Sequence, residues 1–207
     1  MYRALIPVKA LHEAKSRLAT SLTQEQRKTL VLDMLHHVIT TLLASHVLAG
    51  VTVVSPDPLV LEKVEGWGAR AQMEEEHGHN PALHAAALRE LAMGVTALLT
   101  ISADLPLLHT YDVQGMIEQS RLHDVVLAPS WEGTGTNALL VRPPLVLPYL
   151  FGVGSLQRYL MEAKKERLRS VLYNSIGMAL DVDTIADVEM FQSYEAEGKA
   201  MYASCYT

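Results

Sequence analysis

Short apolar runs alternate with longer amphipathic patterns along the whole chain. The apolar runs predict buried strands at residues 4–8, 51–55, 69–73, 96–101, 125–128, 138–141 and 178–182. The amphipathic patterns predict helices between these strands, at 23–49, 58–66, 81–92, 111–122 and 156–167, with a last helix after 182. This alternation is typical of an α/β domain with a mostly parallel sheet and helices on both faces.

The first helix has the clearest boundary signal. Thr23 precedes it and Gln26 follows three residues later, which is the spacing of a capping box. No linker, repeat or low-complexity tract interrupts the chain, so the pattern predicts one domain over residues 1–207. The C-terminal tail, 198–207, is expected either to pack on a neighbouring copy, as in a homodimer, or to stay loose.

Composition narrows the function classes. The 207 residues carry 17 Lys and Arg against 23 Asp and Glu, a net charge of −6, which argues against a general nucleic-acid binder. The single cysteine, Cys205, excludes a disulfide within the chain and a cysteine-based zinc site. We read neither a secretory signal nor an apolar run long enough for a membrane span, and therefore expect a cytoplasmic protein that acts on small molecules.

Ligands of open α/β sheets bind beyond the carboxyl ends of the strands, so the segments after each predicted strand are the candidates for chemistry. Three cations, Lys9, Lys15 and Arg17, follow the first strand and lead into a predicted helix start. Positive charge at a helix N-terminus suits a polyphosphate. The glycines of a Walker A loop are missing, and a solvated basic turn is the alternative interpretation.

Asp104 directly follows the most apolar predicted strand, 96–101. A carboxylate at the end of a buried strand faces the ligand crevice and needs a partner. The alternative is an N-cap for the next helix, although His109 and Thr110 are better placed to begin that helix. Asp104 is therefore a candidate functional acid.

Asp181 and Asp183 stand two residues apart in the predicted last strand. Residues at this spacing project from the same face of a strand, so two carboxylates point the same way with Val182 buried behind them. Such a pair suits a hard cation, and Mg²⁺ is the expected one. Asp183 or Thr184 is also expected to cap the final helix, with Asp187 completing a capping box.

Two glycine-containing stretches complete the candidate set. Residues 132–140 combine glycines and hydroxyls that suit an anion, and residues 151–155 (Phe-Gly-Val-Gly-Ser) begin a helix with free amides. Each stretch alone is more often only a turn. Together with the cationic loop and the acids, however, they describe two anion sites with carboxylates for Mg²⁺ between them, as an enzyme that joins two phosphates requires.

These segments resemble the guanylyltransferases that act on 2-phospho-L-lactate or phosphoenolpyruvate in the biosynthesis of coenzyme F-420. The resemblance spans residues 6–188 and is most specific at Gly-Thr-Gly-Thr-Asn (133–137) and Phe-Gly-Val-Gly-Ser (151–155). The other matching segments are 6–9, 14–19, 53–57, 103–108 and 179–184. The resemblance implies a Rossmann-like nucleotidyltransferase fold of the glycosyltransferase-A type, with GTP as donor, Mg²⁺ as cofactor and a small three-carbon phosphorylated acid as acceptor.

The resemblance also implies residue roles. The metal ligands would be Asp104, Asp181 and Asp183, which with Lys15 form the catalytic set. The triphosphate would face Lys9, Lys15 and Arg17, and Asn80 would lie near the nucleotide. The acceptor's phosphate and carboxylate would be held by Thr136, Gly152 and Ser155. Pro81, next to Asn80, departs from the family pattern at the segment expected to contact guanine.

Two other functions compete with this one. The first is another nucleotidyltransferase on the same scaffold, of the molybdenum-cofactor or sugar-phosphate type, although such enzymes carry a glycine-rich first loop where this chain has Lys9-Ala10-Leu11. The second is a non-catalytic nucleotide sensor, which would tolerate loss of the acids. The sequence leaves open whether the acceptor is phosphoenolpyruvate, 2-phospho-L-lactate or 3-phosphoglycerate.

Overall fold

A seven-stranded mixed sheet forms the centre of the molecule. The structure, a computed structural model, describes residues 1–76 and 78–204, with side chains described up to residue 194. The strands are β1 (Tyr2–Pro7), β2 (Val51–Ser55), β3 (Arg70–Met73), β4 (Ala97–Ile101), β5 (Val125–Pro129), β6 (Thr136–Val141) and β7 (Ser170–Leu172). Their order in the sheet is β3-β2-β1-β4-β6-β5-β7, and β6 alone among these strands runs antiparallel to its neighbours.

In the described part of the chain, seven α-helices lie between or after the strands. They are α1 (Gln24–Ala44), α2 (Pro58–Gly66), α3 (His79–Ala92), α4 (Thr110–Gln119), α5 (Ser155–Lys165), α6 (Ile176–Ala179) and α7 (Ile185–Ser204). The predicted capping box of α1 is confirmed, since the Thr23 amide donates to Gln26 Oε1 at 2.9 Å and the Gln26 amide donates to Thr23 Oγ1 at 3.3 Å. No helix of the described chain is long and apolar enough to cross a membrane.

Two hydrophobic cores lie on opposite faces of the sheet. Successive residues of β1 point into different cores. Ala4 and Ile6 face the core under α1 and α4, whereas Leu5 faces the core under α3 and α5. Burial of both faces explains why the strand sequences are continuously apolar rather than alternating. The predicted fold class, a mostly parallel mixed sheet with helices on both faces, is confirmed.

One predicted strand is wrong and one observed strand was not predicted. Residues 178–182 do not form a strand: they begin in α6, which Ser175 caps by accepting from the Gly177 amide at 3.1 Å, and continue as an extended segment. The seventh strand is β7, a three-residue edge strand that pairs with β5. The predicted tail, 198–207, continues α7 as far as Ser204, and residues 205–207 lie outside the described chain. Whether the tail packs on a neighbouring copy stays a prediction.

The sheet order decides where a site can form. The carboxyl ends of the parallel strands β1 and β4 lie side by side. Because β6 is antiparallel, its first residues lie beside the end of β4, where the Ser102 amide donates to the Asn137 carbonyl at 2.8 Å. Loops that follow β1 and β4 and the loop that precedes β6 therefore meet at one edge.

Candidate functional site

Lys15 is the most enclosed cation at this edge. Its backbone has φ 52°, and it directly precedes a short 3-10 helix, Ser16–Leu18. Its ammonium donates to Oδ2 of Asp104 and, at 2.8 Å, to Oδ1 of Asp183, and the side chain is only 7% exposed. Burial alone would lower the pKa of Lys15, but the two carboxylates outweigh it and raise that pKa above the ordinary lysine value.

Asp104 and the segment that carries the other two acids are joined through the backbone. Asp104 lies three residues beyond β4, and its carbonyl accepts a hydrogen bond from the Val182 amide at 3.2 Å. Val182, which separates Asp181 from Asp183 in the chain, is only 2% exposed, so its side chain is buried. The expected disposition of Asp181 and Asp183 therefore arises without a strand, from an extended segment docked on the loop after β4.

The final helix begins as the capping pattern predicts. Oδ2 of Asp187 accepts from the amides of Asp183 and Thr184 at 3.0 and 2.7 Å, and from the Thr184 hydroxyl at 2.9 Å. Asp183 thus contributes its backbone to the cap and its side chain to Lys15. Burial would raise the pKa of the Asp183 carboxyl, but the adjacent Lys15 ammonium outweighs burial and lowers it.

Asn137 holds the third acid. Its side-chain amide donates to Oδ1 of Asp181 at 2.9 Å and also faces the carbonyls of Met178 and Ala179 at 3.1 and 2.9 Å. Burial raises the pKa of Asp181; the Asn137 hydrogen bond opposes this shift, and the Asp104 and Asp183 carboxylates add to it. The ionised form of Asp181 is therefore less favoured here than it is for an aspartate in water.

Lys15 and the three aspartates line one cavity of about 460 Å³ at the edge of the sheet. Six of the predicted site residues contribute to its wall: Lys9, Lys15, Arg17, Asp104, Asp181 and Asp183. The first loop is therefore a charged cavity wall and not merely a solvated basic turn. Arg17 stands at the mouth, because its side chain is 74% exposed.

His79 and Phe151 form another part of the cavity wall, and their rings meet edge to face at 5.7 Å. A smaller cavity of about 190 Å³ adjoins the first, since Lys9 and His79 line both. Burial, together with the charge of Lys9, lowers the pKa of His79, which favours the neutral imidazole. His79 is not among the predicted site residues, although its position directly before Asn80 was a usable signal.

The remaining predicted site residues are placed differently. Thr136 and Ser155 are 6% and 1% exposed, and the Ser155 hydroxyl donates to the Thr136 hydroxyl at 3.1 Å. Gly152 is exposed, with φ 118°. None of the three lines the larger cavity described above. Their assignment to the acceptor stays a prediction.

Asn80 connects α3 to the loop after β6. Its side chain donates to the Phe151 carbonyl at 3.1 Å and accepts from the Phe151 amide at 3.0 Å. These bonds position the Phe151 ring on the cavity, so Asn80 acts on the site through Phe151. Pro81 sits in the first turn of α3, where an amide has no partner within the helix and proline is tolerated.

Three carboxylates in one cavity are a chemically suitable donor set for a hard divalent cation. In the structure, the cation that these carboxylates bind is the Lys15 ammonium, which bridges Asp104 and Asp183. Within the described residues, no three His, Cys, Asp or Glu side chains are grouped as metal ligands. Asp104, Asp181 and Asp183 thus have the donor chemistry of a Mg²⁺ site without its grouping, and their assignment to a metal stays a prediction.

Comparisons with known proteins agree with this geometry. The family model described as "Guanylyl transferase CofC like" matches residues 2–202. A phosphoenolpyruvate guanylyltransferase from Rubrobacter xylanophilus is 39% identical over 200 residues, which cover 96% of each chain. A 2-phospho-L-lactate guanylyltransferase from Methanobrevibacter ruminantium is 30% identical over 196 residues, covering 89% of this chain and 82% of the relative.

The fold also has relatives among solved structures. A nucleotidyl transferase from Methanothermobacter thermautotrophicus superposes with a TM-score of 0.63 at 15% identity, over 96% of this chain and 99% of that one. At this identity the likeness concerns the fold alone. It confirms the nucleotidyltransferase architecture expected from the sequence.

Proposed function

The chain belongs to the CofC-like guanylyl transferase family and is a nucleotidyltransferase, and we propose that it transfers GMP from GTP to the phosphate of phosphoenolpyruvate or 2-phospho-L-lactate, in the biosynthesis of coenzyme F-420. One observation carries the proposal: the three predicted cations and the three predicted aspartates line a single cavity at the carboxyl ends of β1 and β4. Phosphoenolpyruvate is the favoured acceptor, because the relative with the higher identity carries that name. A cytoplasmic location and Mg²⁺ as cofactor belong to the same proposal.

The reaction is an in-line displacement. An oxygen of the acceptor phosphate attacks the α-phosphorus of GTP, a new phosphorus–oxygen bond forms, and the bond to the β-phosphate oxygen breaks as pyrophosphate leaves. The attacking oxygen is already an anion, so no general base is required. The main obstacle is repulsion between two anions.

The cations of the cavity reduce this repulsion. Arg17 and Lys9, both exposed, meet the incoming triphosphate, and Lys15 neutralises phosphate oxygens deeper in the cavity. The neutral His79 ring and Phe151 form a wall without negative charge. Mg²⁺, held by Asp104, Asp181 and Asp183, would supply further neutralisation of the phosphates when bound.

The test is an assay of pyrophosphate release. The full chain is incubated with GTP and Mg²⁺ and, in separate reactions, with phosphoenolpyruvate, 2-phospho-L-lactate, 3-phosphoglycerate, a sugar phosphate or molybdopterin. Pyrophosphate and a GMP adduct should appear with one of the first two acceptors and not when ATP or CTP replaces GTP. Pyrophosphate with a sugar phosphate or molybdopterin instead would indicate another transferase of this fold, and none with any acceptor would indicate a sensor.

A further inference from the structure

Lys15 and two of the three acids have roles that conflict in the present arrangement. The proposed function, on which this inference rests, assigns Lys15 to the triphosphate and Asp104 and Asp183 to a metal. In the structure these groups bind one another, with the Lys15 ammonium between Asp104 Oδ2 and Asp183 Oδ1. An ammonium has three N–H donors but only one positive charge, so it cannot neutralise two carboxylates and a phosphate together, and a metal ion would need the same carboxylate oxygens.

The burial of these groups shows that the Lys15 contacts are more than a surface ion pair. The Lys15 side chain is 7% exposed, whereas the carboxylates of Asp104 and Asp183 are 21% and 45% exposed. An ammonium removed from water to this extent needs anionic partners, because an unpaired buried charge is strongly disfavoured. Solvent and small ions reach the carboxylates more easily than they reach the ammonium.

The other cations of the cavity do not duplicate this role. Arg17 comes only within 4.0 Å of Asp183 and is 74% exposed, so solvent screens it. Lys9 lines the cavity, while the ion pairs observed among the described residues join Lys15, not Lys9, to the acids. Asp181 is held by Asn137 instead.

We propose that Lys15 is a resident counter-cation, which occupies the metal-binding carboxylates in the nucleotide-free protein and exchanges them for the triphosphate when the nucleotide binds. Asp104 and Asp183 are then released to a divalent cation. The nucleotide-free protein therefore binds divalent cations weakly. Metal and nucleotide bind with positive coupling, because each favours the state in which Lys15 has left the acids.

The first experiment measures Mn²⁺ binding to the full chain without nucleotide, by electron paramagnetic resonance of free Mn²⁺. Lys15→Gln removes the competing charge and keeps a polar side chain at the carboxylates. It should bind Mn²⁺ more tightly than the wild type, by about tenfold or more, a factor typical of coupled sites. Lys9→Gln is the matched control, since Lys9 lines the same cavity without pairing with the acids, and its effect should be much smaller.

A second measurement uses the unaltered protein, because loss of the ammonium brings two carboxylates together and can lower stability. Lysine side chains are labelled with an amine-reactive reagent with and without saturating Mn²⁺, and the sites are quantified by mass spectrometry. Labelling of Lys15 should rise several-fold with Mn²⁺, while labelling of Lys9 stays constant. Unchanged labelling of Lys15 at saturation, or Mn²⁺ affinity in Lys15→Gln no higher than in the wild type, would overturn the proposal.

These outcomes are separate from those of the pyrophosphate assay. Exchange of Lys15 without guanylyl transfer to any acceptor would leave the counter-cation role standing and remove the proposed reaction. Guanylyl transfer without any change at Lys15 would do the reverse.

Discussion

The side-chain amide of Asn137 lies 2.9 Å from Oδ1 of Asp181, and the same nitrogen lies within 3.1 Å of the carbonyls of Met178 and Ala179. Asn137 belongs to β6 and is 5% exposed. A single buried strand residue thus anchors the irregular segment that presents an acid to the cavity. Sequence reasoning quoted Asn137 within the Gly-Thr-Gly-Thr-Asn motif but assigned it no role, although a buried amide next to an apolar strand was a usable signal.

Asn137→Ala tests this anchoring. The substitution leaves two carbonyls and a carboxylate without their donor, so the free energy of unfolding should fall by about 1–3 kcal/mol. Turnover should also fall, because Asp181 is no longer held in place, whereas GTP affinity should change little. Denaturant unfolding and the pyrophosphate assay measure the two effects. Asn174→Ala, at an exposed position, is the control, and equal effects of both substitutions would contradict the anchoring role.

Asp181→Asn tests the acid itself. The variant keeps an oxygen that accepts from Asn137 but loses the negative charge, so the fold should persist while turnover drops by about a hundredfold or more, as with other lost electrostatic stabilisers. The measurement is steady-state pyrophosphate release with GTP and the acceptor. Asp33→Asn, at an exposed carboxylate on α1, should retain activity. Near-normal turnover of a folded Asp181→Asn protein would rule Asp181 out of the catalytic set.

The same substitution should change how stability depends on pH. The pKa of Asp181 is raised in the folded protein, chiefly by burial, so folding favours the protonated carboxyl. The associated stability is present below the unfolded pKa of about 3.9 and is lost as the pH rises through the folded pKa. Asp181→Asn cannot ionise and should therefore be more stable than the wild type at pH 7. Thermal unfolding between pH 3 and pH 8 should show this advantage shrinking toward pH 3; an advantage independent of pH would contradict the assigned cause.

Ser155→Ala distinguishes an acceptor-binding role from a purely structural one. The substitution removes the buried hydrogen bond to Thr136, which should cost about 1 kcal/mol of stability. If the hydroxyl also serves the acceptor, the KM for the acceptor should rise about tenfold while the KM for GTP is unchanged. Thr134→Ala, an exposed hydroxyl in the preceding loop, is the control. Loss of stability with no change in the acceptor KM would leave Ser155 a structural residue.

Asn80→Ala should uncouple Phe151 from α3. Two hydrogen bonds to the Phe151 backbone are lost, and the unfolding free energy should fall by about 1–2 kcal/mol. Because Phe151 then no longer closes the cavity in one position, the KM values of both substrates should rise. Asn80→Asp keeps the acceptor for the Phe151 amide and should lose less stability. A variant with unchanged stability would show that these two bonds are dispensable.

The arrangement of elements could be predicted from the sequence where a local pattern corresponds to a local cause. Continuous apolar runs marked β1, β2, β4, β5 and β6, because strands covered on both faces bury every residue. The capping residues Thr23 and Asp187 also marked helix starts correctly, because the side chain of each accepts a hydrogen bond from an amide only three residues away. The strand prediction for residues 178–182 was wrong because the same apolar pattern also fits an extended segment outside a sheet. These residues bond to the Asn137 side chain and to the Asp104 carbonyl instead of to a neighbouring strand.

Sequence patterns alone predict the fold class, the succession of most strands and helices along the chain, and the reach of three cations and three acids to one edge of the sheet. Which of these groups pair depends on tertiary packing. Lys15 and Asp183 are 168 residues apart in the chain, and the antiparallel placement of β6 between β4 and β5 is what brings Asn137 beneath Asp181. Hydrophobic periodicity specifies which face of an element is buried, but contacts between polar groups distant in sequence depend on how whole elements pack, and no local pattern encodes them.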